Sequence, residues 1–212
     1  MIINTNNMLI YDISMPITKQ MPVYKGKEEK RPNITVAADF STGSVYESIL
    51  TMNLHTGTHL DRPLHMIPNG STLETLELSK VITRAKILDL TSVNDKITAD
   101  DLKHKNIEEG DFVLLKTKNS FEDILENQFI YVDRTGAEYL KEMKICGVGI
   151  DSLGIERNQS EHETHIMLLN EDIVILEGLC LSEIEEGDYL LIAAPVKLVG
   201  TEASPVRAIL LK

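Results

Sequence analysis

Short apolar runs, punctuated by glycine, proline and charged residues, dominate the pattern of this chain and read mostly as strands. Residues 8–17 are apolar-rich and closed by Pro16, which fits a first strand. Two more are expected over residues 34–40 and 45–54, joined by Ser41-Thr-Gly-Ser44 as a turn. Residues 85–90 read as a buried strand, and Phe112-Val-Leu-Leu115, behind Gly110-Asp111, suits a central one. Ile145-Cys-Gly-Val-Gly-Ile-Asp151 is a strand closing on a carboxylate, and residues 189–194 form a late strand after Gly187-Asp188. Helical signals are fewer. Residues 73–78 carry apolar side chains at helical spacing, and Thr98 with Asp101 three positions later makes a helix N-cap. Residues 128–139 run into a helix ending near Lys144, and Leu168 and Leu169 lie on a short helix before a strand with Ile173 and Ile175. Residues 21–32, with two prolines, a glycine and a run of charges, are a loop, and Pro68-Asn-Gly70 is a turn. With no internal repeat and no dividing linker, the pattern gives an α/β fold in one domain spanning residues 1–212.

Composition narrows the function classes. A chain of 212 residues with 42% apolar and 25% charged residues buries a substantial core and is soluble. Its net charge of −12 argues against a nucleic-acid partner or an anionic membrane. Cys146 and Cys180 lack CxxC spacing and read as two buried thiols in a reducing compartment. Residues 1–7 hold no basic region leading into an apolar segment, and no apolar run is long enough to span a bilayer, so a cytoplasmic protein is expected. His104, in a charged helical context, is expected to be exposed and without a role.

Chemistry concentrates in His55-Thr-Gly-Thr-His59-Leu-Asp61-Arg-Pro-Leu-His65, which gathers three imidazoles and a carboxylate in a chain with six histidines. Imidazole nitrogen and carboxylate oxygen are metal donors, so the stretch reads first as a metal site. On a straight strand His55 and His59 would stand about 13 Å apart, too far to share an ion. Gly57, two threonines and Pro63 oppose a helix. The expected solution is a strand ending near His55 that enters a tight loop bent at Gly57 and Pro63. A second cluster spans Glu161-His-Glu-Thr-His165 to Glu177-Gly178. Glu177 follows Ile-Val-Ile-Leu, and a carboxylate there is costly to bury unless it is paired, protonated or bound to a metal. By chemistry alone His162 competes with His165 as a donor.

The run His55 to His65 resembles the H-x-G-T-H-x-D-x-P-x-H signature of the cyclase family of metal-dependent hydrolases, which includes bacterial kynurenine formamidases and isatin hydrolases. His165 and the Glu177-Gly178 pair match the family's second cluster, and residues 199–207 resemble its closing loop and last strand. The resemblance implies a mixed β-sheet with packed helices, of the swivelling β/β/α type. It implies that His55, His59 and Asp61 hold one metal and that Asp61, His165 and Glu177 hold a second, with Asp61 bridging. Zn²⁺ suits these donors, and Mn²⁺ suits them too. It further implies a metal-activated water as nucleophile and His65 as general acid/base. Tyr24 stands where the family's N-terminal loop often carries a tryptophan against an aryl substrate, and this chain has none. A ring that only packs the loop is the plainer reading of Tyr24. Asp151 fits a structural hydrogen-bonding role before a catalytic one. The expected activity is hydrolysis of a small non-peptide amide, with N-formylkynurenine as lead substrate, by a homodimer or higher oligomer. A cyclic amide or lactone is the alternative substrate, and a non-catalytic metal-binding protein the alternative class.

Overall fold

Among the described residues, the apolar pattern builds thirteen strands and three α-helices. The computed structural model describes residues 8–212. Residues 1–7, read above as lacking a leader, lie outside that range. The strands are β1 (Ile10–Asp12), β2 (Asn33–Ala38), β3 (Glu47–Thr51), β4 (His59–Asp61), β5 (Ile82–Asp89), β6 (Lys96–Ile97), β7 (Phe112–Lys116), β8 (Tyr131–Val132), β9 (Gly147–Ile150), β10 (Val174–Glu177), β11 (Gly187–Ile192), β12 (Ala203–Pro205) and β13 (Ile209–Leu211). The helices are α1 (Ala99–Leu102), α2 (Arg134–Glu142) and α3 (Glu163–Asn170). Among the described residues no helix is long and apolar enough to cross a membrane.

Nine strands make one sheet in the order β1-β13-β11-β5-β7-β9-β10-β4-β12. The centre, β5-β7-β9-β10, is parallel. Both flanks are antiparallel, so the sheet is mixed, as expected. Strand β7 is buried throughout and apolar from Phe112 to Leu115, because both faces of the sheet are covered. Val113 and Leu115 pack with Leu140, Leu168 and Leu169 under the helices. Phe112 and Leu114 point the other way, into a second core with Leu60, Leu176, Leu191 and Leu210, around which the sheet curls. Burying each such leucine contributes roughly 1.5–3 kcal/mol.

The side-chain period of two decides where the polar residues go. On β10, Ile175 joins the helix-side core, while Val174 and Leu176 join the other. Strand β4 pairs with β10 antiparallel, setting Asp61 opposite Ile175, Leu60 opposite Leu176 and His59 opposite Glu177. Cross-strand partners share a face. His59, Asp61 and Glu177 therefore look toward α3, while Leu60 fills the second core.

Several details depart from the pattern. The strand before the ligand run stops at Thr51, and His59–Asp61 is itself a strand, so two of the donors sit on a sheet rather than in a loop. The helical spacing over residues 73–78 yields two single 3-10 turns, Leu73–Thr75 and Leu78–Lys80, too short to develop an apolar stripe. Of the two cysteines expected to be buried, Cys146 is half-buried and Cys180 is exposed where the chain leaves β10. The family's last strand, sought in residues 199–207, is β12, and β13 follows it to pair with β1 and β11. The Thr98 cap is present, with the Thr98 amide donating to Asp101 Oδ2 at 2.8 Å, but α1 runs only from Ala99 to Leu102. His104 is exposed, as expected.

Candidate metal centre

The centre is assembled where two glycines let two backbones touch. Gly57 has φ +73° and Gly178 has φ +70°, both in the left-handed region that glycine adopts freely. A side chain on Gly178 would run into the Gly57 carbonyl. Thr58 locks the junction, donating from Oγ1 to the Gly178 carbonyl at 2.5 Å and accepting from the Met15 amide at 2.7 Å. The bend at Gly57 carries His55 back over β4, which removes the 13 Å separation of a straight strand. Past β4, the 3-10 turn Pro63–His65 brings His65 to the same place.

Three imidazoles share one design, in which an outer partner holds one nitrogen and the other faces the carboxylates. His59 donates from Nδ1 to the Gly57 carbonyl at 2.9 Å, leaving Nε2 at 3.5 Å from Asp61 Oδ1 and 3.3 Å from Glu177 Oε2. His165 sets Nδ1 at 3.2 Å from Glu156 and turns Nε2 to within 3.3 Å of Glu177 and 3.7 Å of Asp61. His55 has Nε2 at 3.2 Å from Glu202 and Nδ1 at 2.9 Å from Asp61. Such outer contacts orient metal-binding histidines and fix their tautomers. The His65 ring lies 4.1 Å from His55 and 5.5 Å from His165, centroid to centroid.

The arrangement is unsatisfied without a cation. Both Asp61 oxygens and His59 Nε2 are buried and lack a hydrogen-bond partner, a state that is costly for a carboxylate. Donor atoms of His59, Asp61 and Glu177 lie within 4.8 Å of one another, as do those of His55, Asp61 and His65. A divalent ion fits both sets. Burial alone would push the Asp61 carboxyl up, but the His165, His55 and His59 imidazoles outweigh it and hold the group well below its usual range. His165 is driven the opposite way: burial lowers it, and Asp61, Glu156 and Glu177 overcome that and raise it well above normal. His65 differs. Burial pushes its imidazole down to about 4, with Asp61 opposing and His55 and His165 assisting.

The structure thus brings together all six residues singled out as ligands or base. Tyr24 lines the same cleft, of about 160 Å³, with Lys30, Met66, Leu153 and Gly154. Its ring also rests 6.0 Å from Phe129, so it packs the loop and faces the cleft at once. Asp151 lies outside the ligand set. It accepts from the Thr117 amide, the Thr117 and Ser120 hydroxyls and the Asn119 amide at 2.7–3.3 Å, tying the ends of β7 and β9 together. His162 lines the cleft and contacts Glu156 through Nδ1, outside both donor sets. Sequence reasoning missed Glu156 and Glu202. The available signal for Glu202 was its place in the closing segment 199–207, while Glu156 carried none.

Comparison with known proteins places these observations. Residues 11–157 match the family model described as "Putative cyclase". The chain is 31% identical over 205 residues to a kynurenine formamidase of Bacillus cereus, covering 94% of this chain and 95% of that one. A solved structure described as a "predicted metal-dependent hydrolase from Bacillus stearothermophilus" is 51% identical, with a TM-score of 0.88 over 96% of this chain and 98% of that one. Isatin hydrolase A from Labrenzia aggregata shares the fold at a TM-score of 0.84 and 21% identity, covering 96% and 93% of the two chains.

Proposed function

The chain belongs to the cyclase family, and from that premise we propose that it is a metal-dependent hydrolase of a non-peptide amide C–N bond, with N-formylkynurenine as lead substrate. The observation that carries this reading is the ring of inward-facing imidazole nitrogens around the buried Asp61 carboxylate, beside an open cleft. His55, His59 and Asp61 would hold one ion, and Asp61, His165 and Glu177 a second. Zn²⁺ is the leading candidate for this nitrogen and oxygen set, and Mn²⁺ also fits. A bound divalent ion supplies polarisation of a carbonyl oxygen and acidification of a water molecule.

The protein's own groups do the rest. Burial keeps the His65 imidazole in the neutral form at pH 7, so a ring nitrogen there can take a proton from the attacking water. Water oxygen bonds to the formyl carbon, the C–N bond breaks, and His65 returns the proton to the leaving nitrogen, giving an arylamine and formate. Tyr24 offers a ring face for the aryl group. A second substrate reading, a cyclic amide or lactone, is favoured by the tyrosine where the family often has tryptophan. We place the protein in the cytoplasm as one hydrolase domain over residues 1–212, acting on a small molecule. We further propose a homodimer or higher oligomer, supported by the apolar side chains that β2 and β3 leave exposed.

The test is hydrolysis of N-formylkynurenine by metal-replete protein, followed by absorbance, with and without a chelator. Chelator-sensitive turnover is expected. Inert protein with metal confirmed in the same sample would turn the search to cyclic amides and lactones, and inertness there too would leave a non-catalytic metal-binding protein. His65→Ala should lower turnover by about 10²–10⁴-fold and keep its metal. The donor set His55, Asp61 and His65 favours one competing role, His65 as a ligand, and loss of metal in that variant would establish it.

A further inference from the structure

One charged group in the cleft has no part in the mechanism above. Lys30 ends the 3-10 turn Glu28–Lys30, is half-buried, and lines the cleft with Tyr24, His65 and Glu177. Its carbonyl accepts from Thr56 Oγ1 at 2.9 Å, which ties this turn to the residue next to His55. Its ammonium lies 5.4 Å from the centroid of the Tyr24 ring, with Lys25 at 5.2 Å from the same ring. Neighbouring Arg31 is neutralised by Glu28 at 2.9 Å and Glu126 at 3.5 Å. Among the described residues, Lys30 has no carboxylate within ion-pair distance. Burial, and then Lys27, hold its amine below the usual lysine range, while Glu177 and Asp61 pull it upward.

The carboxylates of the site are already committed. Asp61 and Glu177 face the ion site, and Glu156 is taken by His162 and His165. With Glu202 beside His55, four carboxylates and Lys30 leave a sum that one divalent ion does not neutralise and that a second ion turns positive. A half-buried ammonium with no protein carboxylate beside it is placed to pair with a negative charge on a molecule that enters the cleft. Tyr24 stands beside it as the ring face already assigned to an aryl group.

We propose that Lys30 is a specificity-determining residue whose ammonium receives a carboxylate on the part of the substrate remote from the scissile bond, so that the enzyme selects anionic arylamides over neutral ones. This rests on the hydrolase reading of the same site and adds the charge of the substrate to it.

The test is equilibrium titration of metal-loaded protein with two probes of one shape, 4-(2-aminophenyl)-4-oxobutanoate and the corresponding neutral primary amide. Wild-type protein should prefer the carboxylate by about 10- to 100-fold, the range of a charge-assisted hydrogen bond. Lys30→Met should bring that ratio close to one, and Lys30→Arg should restore most of it, with thermal midpoint and metal content measured for each variant. A wild-type ratio near one overturns the proposal. So does a preference that survives in Lys30→Met, because the carboxylate would then be bound by the metal ions or another group. Turnover of N-formylkynurenine and formanilide reads the parent assignment separately. Inert protein with a Lys30-dependent ratio loses the formamidase reading and keeps the anion site. Active protein with a Lys30-independent ratio does the reverse.

Discussion

Glu156 accepts from the His165 amide at 3.1 Å and sits 3.2 Å from His165 Nδ1, so it decides which imidazole nitrogen faces Asp61 and Glu177. Burial pushes its carboxyl up, but His165 and His162 outweigh burial and keep it ionised. The other contact, from His162, comes from a residue held at φ +51°, a conformation that is uncommon outside glycine. Removing such an outer partner typically weakens metal binding by about 10- to 100-fold. Glu156→Gln should therefore lose metal to a competing chelator at least about tenfold more readily than wild type; an unchanged competition curve would leave Glu156 only a packing role. The candidate ligands were legible in the sequence, because His55 to His65 packs four donors into one run and Glu177 is a charge at the end of an apolar one. Glu156 was not. Its partner lies nine residues on, across a turn whose path no local pattern specifies, and an isolated glutamate looks like any solvated one.

Each element of the fold depends on a few local devices, and α2 shows one with a clear pH signature. Asp133 caps it, accepting from the Thr135 and Gly136 amides at 2.9 and 3.0 Å, with Lys96 3.1 Å from its other oxygen. Burial raises the Asp133 carboxyl, and Thr135, Gly136 and Lys96 more than offset that, so the folded protein holds it below the ordinary value of 3.8. A group lowered in this way contributes stability that is complete above its unfolded value and fades as pH falls through the lower, folded value. Asp133→Ala should cost about 1 kcal/mol at pH 7 in urea unfolding. The gap to wild type should narrow only below about pH 4; a gap that stays constant into acid would mean the charged cap is not its source. Central strands were easy to read, since β7 opens with the unbroken buried apolar run Phe112–Leu115. Strand β4 was hidden, because three residues reading His-Leu-Asp carry no β signal of their own, and only pairing with β10 and β12 makes them a strand.

For the molecule as a whole, β2 and β3 pair only with each other, outside the main sheet. Val36, Ile49 and Leu50 on this ribbon are each more than half exposed. A two-stranded ribbon alone in water is marginal, and exposed apolar groups of this kind mark association surfaces. Ile49→Lys should shift the protein toward monomer in sedimentation or light scattering; wild-type protein that is already monomeric at micromolar concentration would remove the second copy from this face. The main sheet has a different consequence, in the order of its making. Strand β4 lies between β10 and β12, so its hydrogen-bonding partners emerge roughly a hundred residues after it during synthesis, and contacts of such separation close late. His59 and Asp61 reach the ribosome exit long before His165 and Glu177 exist to face them. The nascent chain therefore cannot assemble the whole candidate ion site until β10 has emerged. An ion held by residues from both β4 and β10 would bind the folded chain and not the unfolded one, so its expected effect is to stabilise the closed sheet.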